Sequence, residues 1–186
     1  MAPRQQTRRT VLKTISTGVV GGVALSGTAA AGERGLQREL AEVRSATAAY
    51  NNPANAEAAG YHAEEAPPVC GMGYHWMNLD LAMTFEVVKT KPEVLAYGER
   101  NGNLVLGAVE YAVPKGPEPF FPEPPEDLFE NADPEWHVLE LPPEAPAPTE
   151  ELWTLHAWVH NYNPEGVFHP TNPRKLFHPD GCVGDH

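Results

Sequence analysis

His75, His137, His156 and Glu110 are the residues of this 186-residue chain whose types suit metal chemistry. Imidazole nitrogens with a carboxylate form a common ligand set for zinc, and imidazole with softer donors suits copper. Three protein ligands leave a position for water or a small ligand. No compact motif joins the four. The alternative for each histidine is a hydrogen-bonded structural role, and for Glu110 a solvated strand edge or an ion pair with Arg100 or Arg174. Met72 and Met77 flank His75; thioethers suit copper(I), though filling a core is the commoner use of methionine. Cys70 is a candidate nucleophile with His75 or His156 as base, a reading that a disulfide at Cys70 removes. His62, His160, His169, His178 and His186 read as surface histidines.

Whether these side chains can meet depends on the elements that carry them. The stretch Leu152–Pro173 holds three histidines and two tryptophans. Its first half is rich in aromatic and β-branched residues, which favour a strand. At period 2, Trp153, Leu155, Ala157 and Val159 share a core face, and Thr154, His156, Trp158 and His160 share the other. The rival is a helix started by Thr149, Glu150 and Glu151. On a helix, His156 and His160 would be neighbours able to grip one ion. On a strand they lie about 13 Å apart at ~3.3 Å per residue, so His156 needs partners from elsewhere in the chain.

Those partners sit on other predicted strands. Val69–Asn78 reads as a short extended segment with Tyr74 and Trp76 facing one way, His75 and Met77 the other. Glu93–Tyr97 and Leu104–Val113 form a hairpin around Asn101-Gly102-Asn103, residues that tolerate positive φ. Alternation puts Leu104, Leu106, Ala108, Glu110 and Ala112 on one face, and Val105, Gly107, Val109, Tyr111 and Val113 on the other. Glu110 is the one charge in this apolar run. Glu33–Tyr50 reads as an amphipathic helix with Leu36, Leu40, Val43, Thr47 and Tyr50 inward and Glu39 and Glu42 largely off that face. Asn52 then caps a short helix that opens with Pro53 and exits at Gly60. Tyr61–Pro68 reads as a connection. The stretch 114–148 carries eleven prolines, which excludes continuous helix or central strand. It reads as a long loop packed by Phe120, Phe121, Leu128, Phe129 and Trp136, with a short strand around Trp136–Leu139. The tail from Phe177 to Cys182 reads as loose apart from a disulfide.

Thr7-Arg8-Arg9-Thr10-Val11-Leu12-Lys13, followed by a weakly apolar run to Ala29-Ala30-Ala31, has the pattern of a twin-arginine export signal. Residues 1–31 are therefore expected to be a cleaved signal and 32–186 a single domain; a short membrane anchor is the other reading of the run. The formal charge is −12, and it becomes more negative once Arg4, Arg8, Arg9 and Lys13 leave with the signal. That balance argues against nucleic acid and anionic membranes as partners. It suits a halophilic protein, soluble where salt screens repulsion, or an ordinary acidic one. In an exported chain, Cys70 and Cys182 are expected to form a disulfide, which in the chain-entropy model contributes about 4–5 kcal/mol for so long a loop; free or metal-binding thiols are the alternative. Gly-x-Ser-x-Gly, phosphate-cradling and dinucleotide-binding glycine motifs are absent from the sequence.

Four blocks carry a resemblance: Cys-Gly-Met-Gly-Tyr-His-Trp-Met-Asn (70–78), Pro-Glu-Val-Leu-Ala-Tyr (92–97), Leu-Gly-Ala-Val-Glu-Tyr-Ala-Val-Pro (106–114) and Leu-His-Ala-Trp-Val-His-Asn-Tyr-Asn-Pro-Glu-Gly-Val-Phe (155–168). The chain resembles a group of small exported proteins of bacteria and haloarchaea with Met-Gly-x-His-Tyr, Val-Glu-Tyr and Leu-His-x-Trp…Asn-Pro-x-Gly-x-Phe blocks. The blocks match His75, Glu110, His156, Asn163, Pro164, Gly166 and Phe168. The resemblance implies a shared domain and carries no mechanism.

The expected fold is α+β: N-terminal helices on a small, mostly antiparallel sheet with a proline-rich loop over one end. The expected function is binding of a divalent metal, zinc or copper, or a small ligand outside the cytoplasmic membrane. The ligands would be His75, His137 and His156, with Glu110 a ligand or an orienting group. The alternatives are a hydrolase or isomerase using a His–Glu acid/base pair, and a structural surface protein without a site.

Overall fold

The computed structural model describes residues 25–64, 66–141 and 148–184. The twin-arginine motif with Arg8 and Arg9 lies outside the described residues. Helix α1, Leu25–Thr47, begins earlier than the apolar periodicity predicts. A 3-10 turn over Ala48–Asn51 follows, then α2, Pro53–Ala58. Asn52 Oδ1 caps α2 by accepting from Ala54 N–H at 3.2 Å, Pro53 fills the first turn, and Gly60 leaves it at φ +93°.

Six antiparallel strands follow: β1 His62–Ala63, β2 Tyr74–Met77, β3 Val94–Arg100, β4 Asn103–Lys115, β5 His137–Glu140 and β6 Glu151–Ala157. Their order across the sheet is β1-β2-β3-β4-β6-β5. The architecture is α+β, as the patterning predicts. β1 arises inside the segment read as a connection, and α3, Leu79–Ala82, is capped by Asn78. The β3–β4 hairpin turns on Asn101 and Gly102, both at positive φ, with Arg100 opposite Asn103. Within 114–148, Pro114 and Lys115 finish β4, and β5 supplies the outer edge of the sheet.

One face of the sheet packs on α1. Leu40, Val43, Leu95, Val109, Tyr111 and Leu155 meet there, with Phe129 and Trp136 closing the side. Buried tyrosines keep their hydroxyls bonded: Tyr97 Oη donates to Tyr50 O at 2.7 Å and Tyr111 Oη to Lys89 O at 2.6 Å. Glu39, predicted to lie off the buried face of α1, is only 8% exposed. Its carboxylate accepts from Lys89 Nζ, Glu130 N–H, and the backbone and side-chain amides of Asn131 at 2.9–3.2 Å. Burial raises its pKa, but those donors more than reverse the effect and hold it below the usual carboxylate value.

The alternation predicted for β4 breaks at a bulge. Ala96 pairs with Ala108 but Tyr97 pairs with Leu106, which leaves Gly107 as the extra residue. Leu106 and Leu104 therefore turn to the helix side, away from Ala108, Glu110 and Ala112. Glycine is required at 107 because a Cβ there would lie 2.2 Å from the Phe177 ring. The freed Gly107 carbonyl accepts from His160 and Asn161 N–H at 3.1 and 3.0 Å, which steers the chain out of β6.

The tail, expected to be loose, is packed. Phe177 is fully buried against Trp158, with Ala96, Ala108 and Leu176 around them. The Cys70–Cys182 disulfide joins this tail to the segment before β2, and Cys70 N–H donates to Val183 O at 3.0 Å.

Candidate metal centre

The far face of the sheet carries the chemistry. In register, His75 lies opposite Ala96, Val94 opposite Glu110, and Glu110 opposite His156. Cross-strand partners share a face, so small residues on β3 leave a gap between the imidazoles of β2 and β6. Glu110 fills that gap from β4. Its Oε2 lies 3.5 Å from His75 Nε2 and 3.5 Å from His156 Nε2. One ligand-type atom from each of the three falls within 4.8 Å of the other two.

All three groups are nearly dry. Glu110 is 6% and His156 3% exposed. His156 Nε2 has no hydrogen-bond partner. The 3.5 Å approach to Glu110 is an electrostatic contact without hydrogen-bond geometry. An unpaired buried ring nitrogen is costly, of order 1–3 kcal/mol, unless something satisfies it. The ring is held from both sides: Trp158 stacks on it at 6.1 Å between centroids and 17° between planes, and His75 meets it edge-on at 5.9 Å. Trp158 is fixed in turn, donating its indole N–H to His169 O at 2.7 Å.

Burial sets the protonation order. It pushes the Glu110 carboxyl up to about 8, with Glu64 and Glu93 adding like charge. It pulls His75 down to about 4 and His156 down to about 3, with His75 and His137 adding to the effect at His156. At neutral pH both imidazoles are therefore neutral and able to donate lone pairs, and Glu110 retains its proton.

The cluster opens on a cavity of about 500 Å³. His137 lines this cavity from β5, opposite Thr154 of β6, but lies outside the three-residue group. Met72 and Met77 line it as well. Glu64 lines it at the rim, and no sequence signal singled it out, because it lies in the presumed connection after Tyr61. Its N–H donates to His75 O at 3.1 Å, extending the β1–β2 ladder and setting Glu64 across from His75. Burial of the Glu64 carboxyl raises its pKa.

Other candidates resolve differently. Cys70, Cys182 and His178 also converge, but the two sulfurs are bonded to each other, so Cys70 is neither a nucleophile nor a ligand in this state. His160, expected at the surface, is half-buried on the helix side with Nε2 2.8 Å from Thr47 Oγ1. The alternation of β6 ends at Ala157, so His160 does not share a face with His156. Glu110 pairs with the imidazoles; Arg174 instead donates to Asn161 Oδ1.

No known protein family, characterised protein or solved structure matches this chain in comparison.

Proposed function

We propose that the protein binds a divalent metal ion through His75 Nε2, His156 Nε2 and a Glu110 carboxylate oxygen. The observation that carries this reading is the convergence of two buried imidazole nitrogens, one of them without a hydrogen-bond partner, on a single carboxylate oxygen at 3.5 Å. Donors bound at about 2.05 Å to a tetrahedral zinc lie ~3.4 Å from one another, close to these separations. Two imidazoles and a carboxylate without thiolate favour zinc; Met72 and Met77 at the same cavity are the feature that would favour copper. Three protein ligands leave a position on the cavity side. We place the site outside the cytoplasmic membrane, on the strength of the Thr7–Lys13 motif and the paired cysteines. Among the described residues, no helix is long and apolar enough to cross a membrane.

Elemental analysis of the full chain purified at high salt tests this. About one metal per chain, lost in His156→Ala, is the expected result; less than ~0.2 per chain ends the reading.

A second reading has its own observation. A carboxyl held near 8 beside imidazoles held near 4 and 3 makes Glu110 a proton donor at neutral pH, as an acid/base pair acting without metal would use it. Turnover that survives exhaustive chelation would select that reading.

A further inference from the structure

We infer that the cavity beside this centre takes a largely apolar small molecule bearing one carbonyl or hydroxyl oxygen, and that this oxygen approaches the ion. The inference rests on the metal reading above.

Size and wall chemistry define the class. A volume of about 500 Å³ falls within the range of roughly 300–1,000 Å³ typical of small-molecule sites. Val69, Met77, Val94, Ala112, Leu139 and Leu152 make most of the wall apolar. Among the described lining residues there is no lysine or arginine, so an oxygen donor meets no positive charge there besides the ion. No tryptophan, tyrosine or phenylalanine lines it either, so an ammonium group finds no aromatic cage.

An ammonium group would set a second cation beside the ion against apolar walls, where burying unpaired charge is costly. The mouth fits an apolar chain as well: Val138 and Leu139 of the edge strand line the cavity and remain 44% and 47% exposed.

The full chain loaded with cobalt(II), titrated with butanamide, hexanamide, octanamide and hexylammonium by calorimetry and visible absorption, tests this. Hexanamide is expected to bind and shift the cobalt absorption bands. Affinity is expected to rise about three- to fourfold per added methylene, the factor for burying one CH₂. Hexylammonium is expected to bind at least tenfold more weakly than hexanamide, a factor that follows from the cost of unbalanced buried charge. Leu139→Asp, at an exposed wall position, should flatten the chain-length series. Uptake of cobalt with no response to the amides, or with hexylammonium as tight as hexanamide, overturns the ligand class and leaves the metal reading standing. Failure to take up cobalt removes both.

Discussion

Two glutamates, Glu39 on the helix that covers one face of the sheet and Glu110 on the other face, are buried to a similar degree, 8% and 6% exposed, and they are opposites electrostatically. Glu39 faces four donors and stays ionised below the usual pKa. Glu110 faces two neutral imidazole nitrogens and is pushed up to about 8. A buried carboxylate saturated by amides and an ammonium is a structural tie, pinning α1 to Lys89 and to the loop at Glu130 and Asn131. A buried carboxyl facing neutral imidazoles lacks the positive charge that would make its ionised form comfortable. A divalent ion would supply that charge, and the neighbouring lone pairs suit the same ion.

Substitutions at the two positions should separate these roles. The largest effect is expected from Glu110→Gln, which should lower zinc affinity on the order of 100-fold or more while changing the metal-free unfolding midpoint little, because the amide replaces an already neutral group. Competition against a chromogenic chelator measures the first, urea denaturation the second. Glu39→Ala should do the reverse. It strips the shared acceptor from Lys89, Glu130 and Asn131 and should cost about 3 kcal/mol in urea denaturation, with zinc affinity unchanged. A loss below about 1 kcal/mol would end the contrast drawn here.

The pH dependence sharpens it. Zinc must displace the Glu110 proton, so affinity should climb about tenfold per pH unit up to about pH 8 and then level off. In the metal-free protein, the raised Glu110 pKa adds stability that is complete below about 4.5 and lost as pH rises through about 8. The lowered histidines act oppositely: their contribution is complete above 6.5 and is lost as pH falls toward about 4 for His75 and about 3 for His156. Metal-free stability should therefore peak near neutrality, and Glu110→Gln should remove the alkaline decline; thermal melts across pH 4–9 read this out. A smaller effect is expected at the margin of the site face. Gly107→Ala forces a methyl into Phe177 and should destabilise by about 1–3 kcal/mol, measured by urea denaturation, while Glu39 and its donors stay in place.

Much of the frame was legible because it depends on short-range chemistry. Period-2 alternation set Tyr74 and Trp76 against His75 and Met77, and Thr154 and His156 against Trp153 and Leu155; the register bears out both assignments. The Asn101-Gly102 turn followed from the two residues that adopt positive φ most readily. Faces were misassigned where a long-range contact outweighed local pattern. The Gly107 bulge, needed to admit Phe177, moved Leu104 and Leu106 to the other side. Glu39 looked like a surface residue because its donors lie 50 and more positions away. Glu64 carried no signal because its place across from His75 depends on a strand of two residues.

The residues alone determined that this is an acidic chain with a strand hairpin, an amphipathic helix, two cysteines able to pair, and three histidines and a glutamate on ordered segments. These follow from composition and from periods of two and 3.6 residues, which neighbours in sequence decide. Only the folded sheet decided which of them meet. Strand order and register brought His75, Glu110 and His156 onto one dry face and left His137 on the cavity wall. Burial then inverted the ordinary protonation order of acid and base, a property that no residue carries until water has been removed from around it.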